Sequence, residues 1–322
     1  IKKTDVSSLE AEDVSSPRRE KGMSYHDAPT AGVSAYYHVK RGDELKVKIA
    51  ISYTSIENAW ENMESDFNHW DFEKIREEAR DDWNQSLGKI DVKGGTRDQR
   101  VKFYTDLWHT LLGRHKLNDY SGDYPDYTQG EKKGAHTDAS LQVRKLPSGA
   151  DGNPKFNMYN SDAFWLTQWN SNILWGLGWP HLLDDFSASL VQYADNGKLL
   201  PRGPCAGGYS YIMTGCPATN LIVSAYMKGL LRKVDDKHAF EIMKQNHQPG
   251  GMMGGDEIDF YVKKGWRPNN AGITLEWAFQ DWALSQMAIK MGEKKDAQYY
   301  LKRSNGWKNL YKQEEGLIFP KD

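Results

Sequence analysis

The stretch from Met158 to Pro180 concentrates side chains that suit carbohydrate binding. Its twenty-three residues include four tryptophans, several amides and one carboxylate, Asp162. An indole ring stacks on the C–H face of a sugar, and amides bond its hydroxyls, whereas an amide buried in a core must find a partner there. The pattern therefore favours a carbohydrate site. The alternative is an inner helix in which tryptophan only fills space.

A second group of candidates lies on an apolar helix predicted over 271–291, where Glu276 and Asp281 stand among apolar residues. A carboxylate on a mostly apolar inner helix usually has a partner or a ligand. We therefore predict a substrate-binding set of aromatic, amide and carboxylate side chains. Its members are Trp165, Gln168, Trp169, Asn170, Glu276 and Asp281.

Other residues that could bear chemistry are arranged less favourably. Asp256, Glu257 and Asp259 fall within four positions, but their spacing is not that of an EF-hand loop, and an exposed acidic turn is the preferred interpretation. Cys205 and Cys216 have no second pair at zinc-ligand spacing. We expect two free thiols, with a disulfide as the alternative, and assign no metal ligand.

Composition limits the classes of function. The 322 residues carry a net charge of −2, with 39% hydrophobic and 12% aromatic residues. Because the charge is small and its sign is not segregated along the chain, a nucleic-acid-binding role has no electrostatic support. No apolar run approaches the roughly 18 residues of a membrane span. The sequence starts without Met or a signal peptide, so a secretion signal could have been removed or not included.

Hydrophobic periodicity predicts a short β segment followed mainly by helices. Alternating apolar residues around a turn at 41–43 predict a β-hairpin over 33–53. Two helices follow, with a break near 69–71 and a brief return strand over 89–95. From residue 97 onward we expect helices and loops, with a loop over 118–157 and helices over 97–111, 162–178, 182–194, 215–232, 236–245, 271–291 and 294–311. Repeated helical hairpins with aromatic-rich loops predict an α/α toroid whose loops form the site at one end.

Several phrases of the chain resemble glycoside hydrolase family 92, whose members are bacterial calcium-dependent exo-acting α-mannosidases. "IAISYTSIENAWENMESD", "TLEWAFQDWALSQMAIKMG" and "YYLKRSNGWKNLYKQEEGLIFPKD" occur in the family's order over roughly residues 45–322. The resemblance implies a mainly α fold with a small β part. Its expected parts are the end of a β-sandwich at 1–54, a helical linker and return strand at 55–96, and the first half of an (α/α)6 toroid at 97–322.

The resemblance also implies an inverting mechanism, in which one carboxylic acid protonates the leaving oxygen and an opposite carboxylate activates water. In the family, the acid, the base and most calcium ligands lie C-terminal of the "GLIFPKD" phrase. We therefore expect a fragment without a catalytic residue, inactive alone, which self-associates through an exposed half-toroid. The implied cofactor is Ca²⁺, the partner is a glycan substrate, and the location is periplasmic, secreted or at a bacterial cell surface.

One motif departs from the family pattern. The family commonly has Trp-Asp-Thr-x-Arg in its first inner helix, where the Asp and Arg bind the non-reducing mannose. Here Leu166 and Trp169 take those two positions. The replacement implies altered sugar specificity. Two alternatives remain: a non-catalytic carbohydrate-binding or scaffold protein, and another α/α-toroid carbohydrate enzyme such as a lyase or a trehalase-like hydrolase.

Overall fold

The structure is a computed structural model. The chain forms two compact units, residues 1–48 and 49–322. In the first unit, strands β1 (Ser8–Val14) and β2 (Thr30–Tyr36) pair in antiparallel fashion. The residues that it describes are 8–14, 30–36, 38–112, 115–161, 164–255 and 258–322.

The hairpin predicted over 33–53 does not form. Its turn is present, since the amide of Asp43 donates to the carbonyl of Lys40 at 3.1 Å and Gly42 has a φ of +99°. Residues 43–50 form no strand, however, and β2 pairs with β1 instead. A strand needs a neighbour for its backbone hydrogen bonds, and no described strand lies beside this segment. The apolar residues of the second predicted strand are exposed: Leu45, Val47, Ile49 and Ile51.

The two helices predicted next are confirmed as α1 (Ile56–Asp66) and α2 (Phe72–Leu87). The side chain of Ser55 caps α1 by accepting a hydrogen bond from the amide of Asn58 at 3.0 Å. Asp71 caps α2, so the break predicted near 69–71 coincides with the start of a helix.

The return strand predicted over 89–95 is absent. Helix α3 (Arg97–Leu111) follows this segment and presents Tyr104 to it. The Tyr104 hydroxyl donates to the carbonyl of Ile90 at 2.9 Å and accepts from the amide of Val92 at 3.2 Å. A side chain thus satisfies the backbone groups that a strand ladder would have used.

Short two-stranded sheets fill the region that the sequence predicted as a loop. Strand β3 pairs with β8, β4 with β7, and β5 with β6. Strands of two to four residues carry too little periodicity to be recognised in a sequence. Their bounds are β3 (His115–Lys116), β4 (Asp123–Asp126), β5 (Glu131–Lys133), β6 (His136–Asp138), β7 (Gln142–Lys145) and β8 (Tyr159–Asn160).

The remainder is mainly helical, as predicted. The expected helix over 271–291 is confirmed, whereas the one expected over 162–178 is split in two around 168–170. The helices are α4 (Phe164–Thr167), α5 (Ser171–Gly178), α6 (Pro180–Gly197), α7 (Pro217–Met227), α8 (Asp236–Asn246), α9 (Ile258–Lys264), α10 (Ala271–Met291) and α11 (Lys294–Ser304). A 3-10 turn spans Asn305–Leu310, and the strands are β9 (Pro204–Cys205), β10 (Gly208–Tyr209), β11 (Tyr311–Lys312) and β12 (Leu317–Ile318).

Three consecutive helical pairs organise this part of the chain. Helix α5 packs on α6, α7 on α8, and α10 on α11, while α7 contacts both α5 and α10. One continuous core lies between them and includes Leu183, Leu221 and Leu284, all fully buried. The row α5–α7–α10 positions the side chains of the candidate site.

Candidate functional site

Three helices meet at their N-terminal ends around Gln168, which lies in the turn between α4 and α5. The side-chain amide of Gln168 donates from Nε2 to Oε1 of Glu276, in the second turn of α10, at 3.1 Å. Its Oε1 accepts a hydrogen bond from Nδ2 of Asn220, near the start of α7. The break that splits the predicted 162–178 helix therefore places an amide between a carboxyl group and a second amide.

The carboxyl group of Glu276 is half-buried, and one of its oxygens holds both donors. Oε1 accepts from Gln168 and also from Nε2 of Gln280 at 2.8 Å, whereas Oε2 has no hydrogen-bond partner among the described residues. Burial raises the pKa of Glu276, and the two amide donors only partly oppose this effect. This carboxyl therefore keeps its proton to higher pH than an exposed glutamate does.

The side-chain amide of Gln280 is fixed by a hydrogen bond from the start of α7. Its Oε1 accepts from the backbone amide of Cys216 at 2.6 Å. The preceding residue, Gly215, has a φ of +74°, and a Cβ there would lie 2.5 Å from Nε2 of Gln280. Only glycine leaves room at this position for the amide that holds Glu276.

Three buried polar atoms on these elements have no hydrogen-bond partner in the described structure: Oδ1 of Asn220, Oδ1 of Asn172 and Nε1 of Trp165. Leaving such a group unsatisfied costs about 1–3 kcal/mol. Native proteins rarely do so except where a ligand or water binds. The same holds for four atoms elsewhere in the described structure, in Ser161, Tyr193, Trp266 and Trp277, so such atoms are not confined to this cluster.

Trp169 and Asn170 lie on the outer edge of the cluster. Trp169 is 59% exposed and stacks on Phe279, with ring centroids 5.5 Å apart and planes 9° apart. Phe279 stacks in turn on Trp282. Asn170 is exposed at the N-terminus of α5, where its side chain makes no capping hydrogen bond.

The prediction that Asp281 lines a sugar site is wrong for this structure. Its side chain is 0% exposed and accepts hydrogen bonds from Arg303, from Nδ1 of His247 at 2.9 Å and from the Tyr261 hydroxyl at 2.7 Å. Nε2 of His247 continues the network to the Thr219 hydroxyl at 2.8 Å. The arginine lowers the pKa of Asp281, against the effect of burial, which raises it. The Asp281 carboxylate is therefore a hydrogen-bond acceptor for buried core side chains and does not face a binding site.

The structure brings Gln168 and Glu276 together with residues that the sequence analysis missed, namely Gly215, Asn220 and Gln280. Trp165 lies on α4, three residues before Gln168. The sequence could have indicated one of these residues, Gln280. Gln280 follows Glu276 by four residues, a spacing that places two side chains on one face of a helix. The partnership of Gln168 with Asn220 joins segments 52 positions apart and depends on tertiary packing.

The described residues contain no group of three or more His, Cys, Asp and Glu placed to hold a metal ion. Asp162, Asp256 and Glu257 lie outside the described residues. Cys205 and Cys216 are free thiols, as preferred from the sequence.

In the part of the chain that the structure describes, no helix has the length and apolar character needed to cross a membrane. A curated relative, an uncharacterized secreted glycosidase from Arthroderma benhamiae, is 21% identical over 295 residues, which are 84% of this chain and 31% of that protein. The chain thus spans about a third of that relative's length.

Two solved structures from Bacteroides thetaiotaomicron share the fold. The family GH92 α-mannosidase BT3965, in complex with mannoimidazole, has a TM-score of 0.79 and 20% identity, covering 98% of this chain and 40% of that one. The family GH92 inverting mannosidase BT2199 has a TM-score of 0.77 and 23% identity, covering 98% and 41%. The model of the glycosyl hydrolase family 92 catalytic domain matches residues 58–322. Because this match takes in most of the sequence, the chain belongs to glycosyl hydrolase family 92.

Proposed function

We propose that the protein is an inverting glycoside hydrolase of the exo-acting α-mannosidase type and that Glu276 is its proton donor. The observation that carries this proposal is the asymmetry of the carboxyl group. Two amides hold Oε1, Oε2 is free among the described residues, and burial raises the pKa. A general acid must be protonated at the working pH, and burial is a common means to that end.

This proposal departs from the family pattern, in which the acid lies C-terminal of the "GLIFPKD" phrase, and it replaces the expectation that the chain contains no catalytic residue. The sequence suggested only that Glu276 forms part of the wall of a sugar site. A wall residue needs no raised pKa, whereas a proton donor does. The free Oε2 would carry the proton to the glycosidic oxygen, while Gln168 and Gln280 keep the carboxyl group in one orientation.

The half-buried amide of Gln168 and the exposed amide of Asn170 support the binding half of the proposal. Amides both donate and accept hydrogen bonds, as sugar hydroxyls do. The indole of Trp165 also offers an apolar ring, and Trp169 offers another at the edge. We assign the binding of the non-reducing sugar to this cluster.

An inverting mechanism also requires a base, about 6.5–9.5 Å from the acid across the sugar. The matched glycosidases are longer than this chain, and we propose that the base and the calcium ligands come from an additional segment of the complete protein. The three helical pairs would then form half of an (α/α)6 toroid, preceded by part of a β-sandwich at 1–54 and a linker at 55–96. We expect the 322-residue chain alone to be inactive.

The secreted relative supports a periplasmic, secreted or cell-surface location, and the family resemblance supports a bacterial source. Leu166 and Trp169, 55% and 59% exposed, support an altered sugar specificity because they do not belong to the core. They replace two charged contacts with apolar surface. We therefore propose a substrate less polar than unsubstituted mannose, or one that bears a substituent.

The role of Glu276 is tested with glycosides of different leaving groups, assayed on the complete protein. Glu276→Gln should lower kcat/KM by about 10²–10⁴-fold for an alkyl glycoside, whose leaving oxygen needs a proton. It should lower kcat/KM far less for a 2,4-dinitrophenyl glycoside, whose leaving group departs as an anion. Equal losses on both substrates would contradict the proposal. Asn170→Ala, a change on the same rim, is the control and should affect both substrates alike.

A further inference from the structure

A separate cavity of about 540 Å³ lies between the short sheets and the loop that precedes α7. The β5–β6 hairpin forms one side of it, and the β9–β10 turn forms the other. These two sides are joined by a bridge between His136 and Ser210 and by a 2.9 Å hydrogen bond from the Tyr211 amide to the Ala135 carbonyl. No residue that lines this cavity belongs to the Gln168–Glu276 cluster.

The cavity is built from closely packed backbone. The amide of Tyr127 donates to the carbonyl of Gly207 at 3.0 Å. Gly207 has a φ of +83°, and a Cβ there would approach the carbonyl oxygen of Pro125 to 2.5 Å. These contacts hold residues 125–127 against the β9–β10 turn on this side of the cavity.

Its lining combines aromatic rings with polar side chains. Tyr53, Tyr127 and Tyr209 supply the rings, and His136 and Thr137 supply polar atoms. Among the described residues, no Asp, Glu, Lys or Arg lines it. The hydroxyls of Tyr53 and Tyr127 and the ring of His136 have no hydrogen-bond partner among the described residues. A ligand that matches this surface is uncharged, has an apolar face and carries hydroxyl groups.

We propose that this cavity is an accessory carbohydrate-binding site, which holds a neutral sugar unit of a glycan without cleaving it. Pyranose rings stack on tyrosine and bond to hydroxyl and imidazole groups, so they meet all three requirements. No described lining residue is an Asp or Glu, the two residue types that glycosidases commonly use as acid and base. The proposal rests on the proposed function only for the choice of mannosides as the first probe.

A cysteine in the lining can report whether the cavity is occupied. Cys205 lines it and is exposed, whereas Cys216 is fully buried and burial raises its pKa to about 11. Because the thiolate is the reactive form, a thiol reagent should modify Cys205 alone in the folded protein. A sugar in the cavity would obstruct that reaction.

The test measures the rate at which 5,5′-dithiobis(2-nitrobenzoate) modifies the 322-residue chain, with and without α-mannobiose or α-mannotriose. We expect saturating oligosaccharide to slow modification several-fold. Tyr53→Ala, which truncates an exposed side chain, and Tyr127→Phe, which removes only a hydroxyl, should weaken this protection. Glu276→Gln should leave it unchanged, because that residue lies outside the cavity.

Three outcomes overturn the proposal. The first is that neither mannosides nor a matching series of gluco- and galacto-oligosaccharides protect Cys205. The second is that both tyrosine variants are protected as well as the wild type, and the third is that Glu276→Gln loses the protection. Protection by a gluco- or galacto-oligosaccharide alone supports the carbohydrate site and corrects only its sugar. If the leaving-group test failed while oligosaccharides still protected Cys205, Glu276 would not be the acid. The accessory site would still be supported.

Discussion

The carboxylate of Asp281 accepts two hydrogen bonds from the guanidinium of Arg303, one from Nε and one from Nη2, each 2.5 Å long. Both side chains are buried, with 0% of Asp281 and 5% of Arg303 exposed. Nη2 also donates to the backbone carbonyl of His247 at 3.1 Å. The pair thus joins α10 and α11 to the end of α8.

Asp281→Ala should lower the free energy of unfolding by about 3–5 kcal/mol, because it leaves the Arg303 guanidinium charged and buried without its partner. Urea denaturation followed by circular dichroism measures this loss. Asp281→Ala/Arg303→Met should recover much of it, since the unpaired charge is then removed as well.

The matched control for this prediction is a surface pair of the same type. Nζ of Lys102 lies 2.6 Å from the Asp106 carboxylate, and both side chains are largely exposed. Asp106→Ala should cost about 0–1 kcal/mol. If Asp281→Ala lowered the free energy of unfolding no more than this control does, the Asp281–Arg303 pair would not be a main source of stability in the core.

The sequence identified both carboxylates of α10 as candidates but could not assign them to different roles without the helix geometry. Residues four apart lie about 40° apart around a helix, and residues five apart lie about 140° apart. Gln280 therefore shares the face of Glu276, and Asp281 points elsewhere. That calculation excludes a common site for the two carboxylates. It cannot reveal which face is inside, because α10 is apolar around most of its circumference.

His247 should make stability depend on pH between neutral and mildly acidic conditions. Burial lowers its pKa from the ordinary value of 6.5, so the folded state keeps the ring neutral while the unfolded state takes up a proton. Its contribution to stability is therefore complete above about pH 6.5 and is lost as the pH falls towards the lowered pKa.

The measurement compares the slope of unfolding free energy against pH, from 7 down to 5, in the wild type and in His247→Gln. The variant should have the shallower slope, by at most about 1.4 kcal/mol per pH unit. His181, whose pKa burial also lowers, is present in both proteins and cancels in the comparison. Parallel slopes would show that His247 takes up its proton equally in both states.

Gln168 should control the pH at which activity declines on the alkaline side. Its hydrogen bond favours the charged form of Glu276 and so lowers the pKa that burial raises. A proton donor loses activity once it ionises, so Gln168→Leu should move the alkaline limb of kcat/KM to higher pH in the complete protein. Gln280→Leu should shift it in the same direction. Asn170→Ala, which removes no donor from the carboxyl group, should leave the limb in place.

The secondary structure of the helical part was largely predictable, whereas the existence of the short strands and the partners of the amides were not. The bounds of α10 could be predicted because that helix is long and is capped by Asn270 and Gly292. Nothing local marks Asn220 as the partner of Gln168. Such pairs depend on how helices pack, and no alternation or cap encodes them.

Two rows of exposed apolar residues should make the chain self-associate. Leu275, Trp282 and Ile289 recur at intervals of seven along α10, and Ile173 and Leu177 are exposed on α5. Exposed apolar stripes of this kind mark surfaces that pack on another protein surface. Sedimentation velocity should show oligomers that Leu177→Lys/Ile289→Lys converts to monomers. Val143→Lys, on the exposed strand β7, is the control and should leave the oligomers intact; a monomeric wild type would refute the prediction.

The exposed pair Leu166 and Trp169 should set the sugar preference of the complete protein. The family motif has an Asp and an Arg at these positions, and each charge-assisted hydrogen bond to a sugar is worth about 1.5–3 kcal/mol. With both absent, terminal unsubstituted α-mannose should be a poor substrate. Leu166→Asp/Trp169→Arg should raise kcat/KM for it by at least about tenfold, since 1.4 kcal/mol corresponds to that factor.

The comparison requires a panel of terminal α-mannosides, some unsubstituted and some carrying acyl or alkyl groups. Wild type should favour the substituted sugars, because their apolar groups can pack on Leu166 and on the free surface of Trp169. The double variant should reverse this order. A matched pair of changes outside the motif, Ile173→Asp/Leu177→Arg on exposed positions of α5, should not alter it. If the wild type preferred unsubstituted mannose as strongly as the double variant does, positions 166 and 169 would not determine specificity.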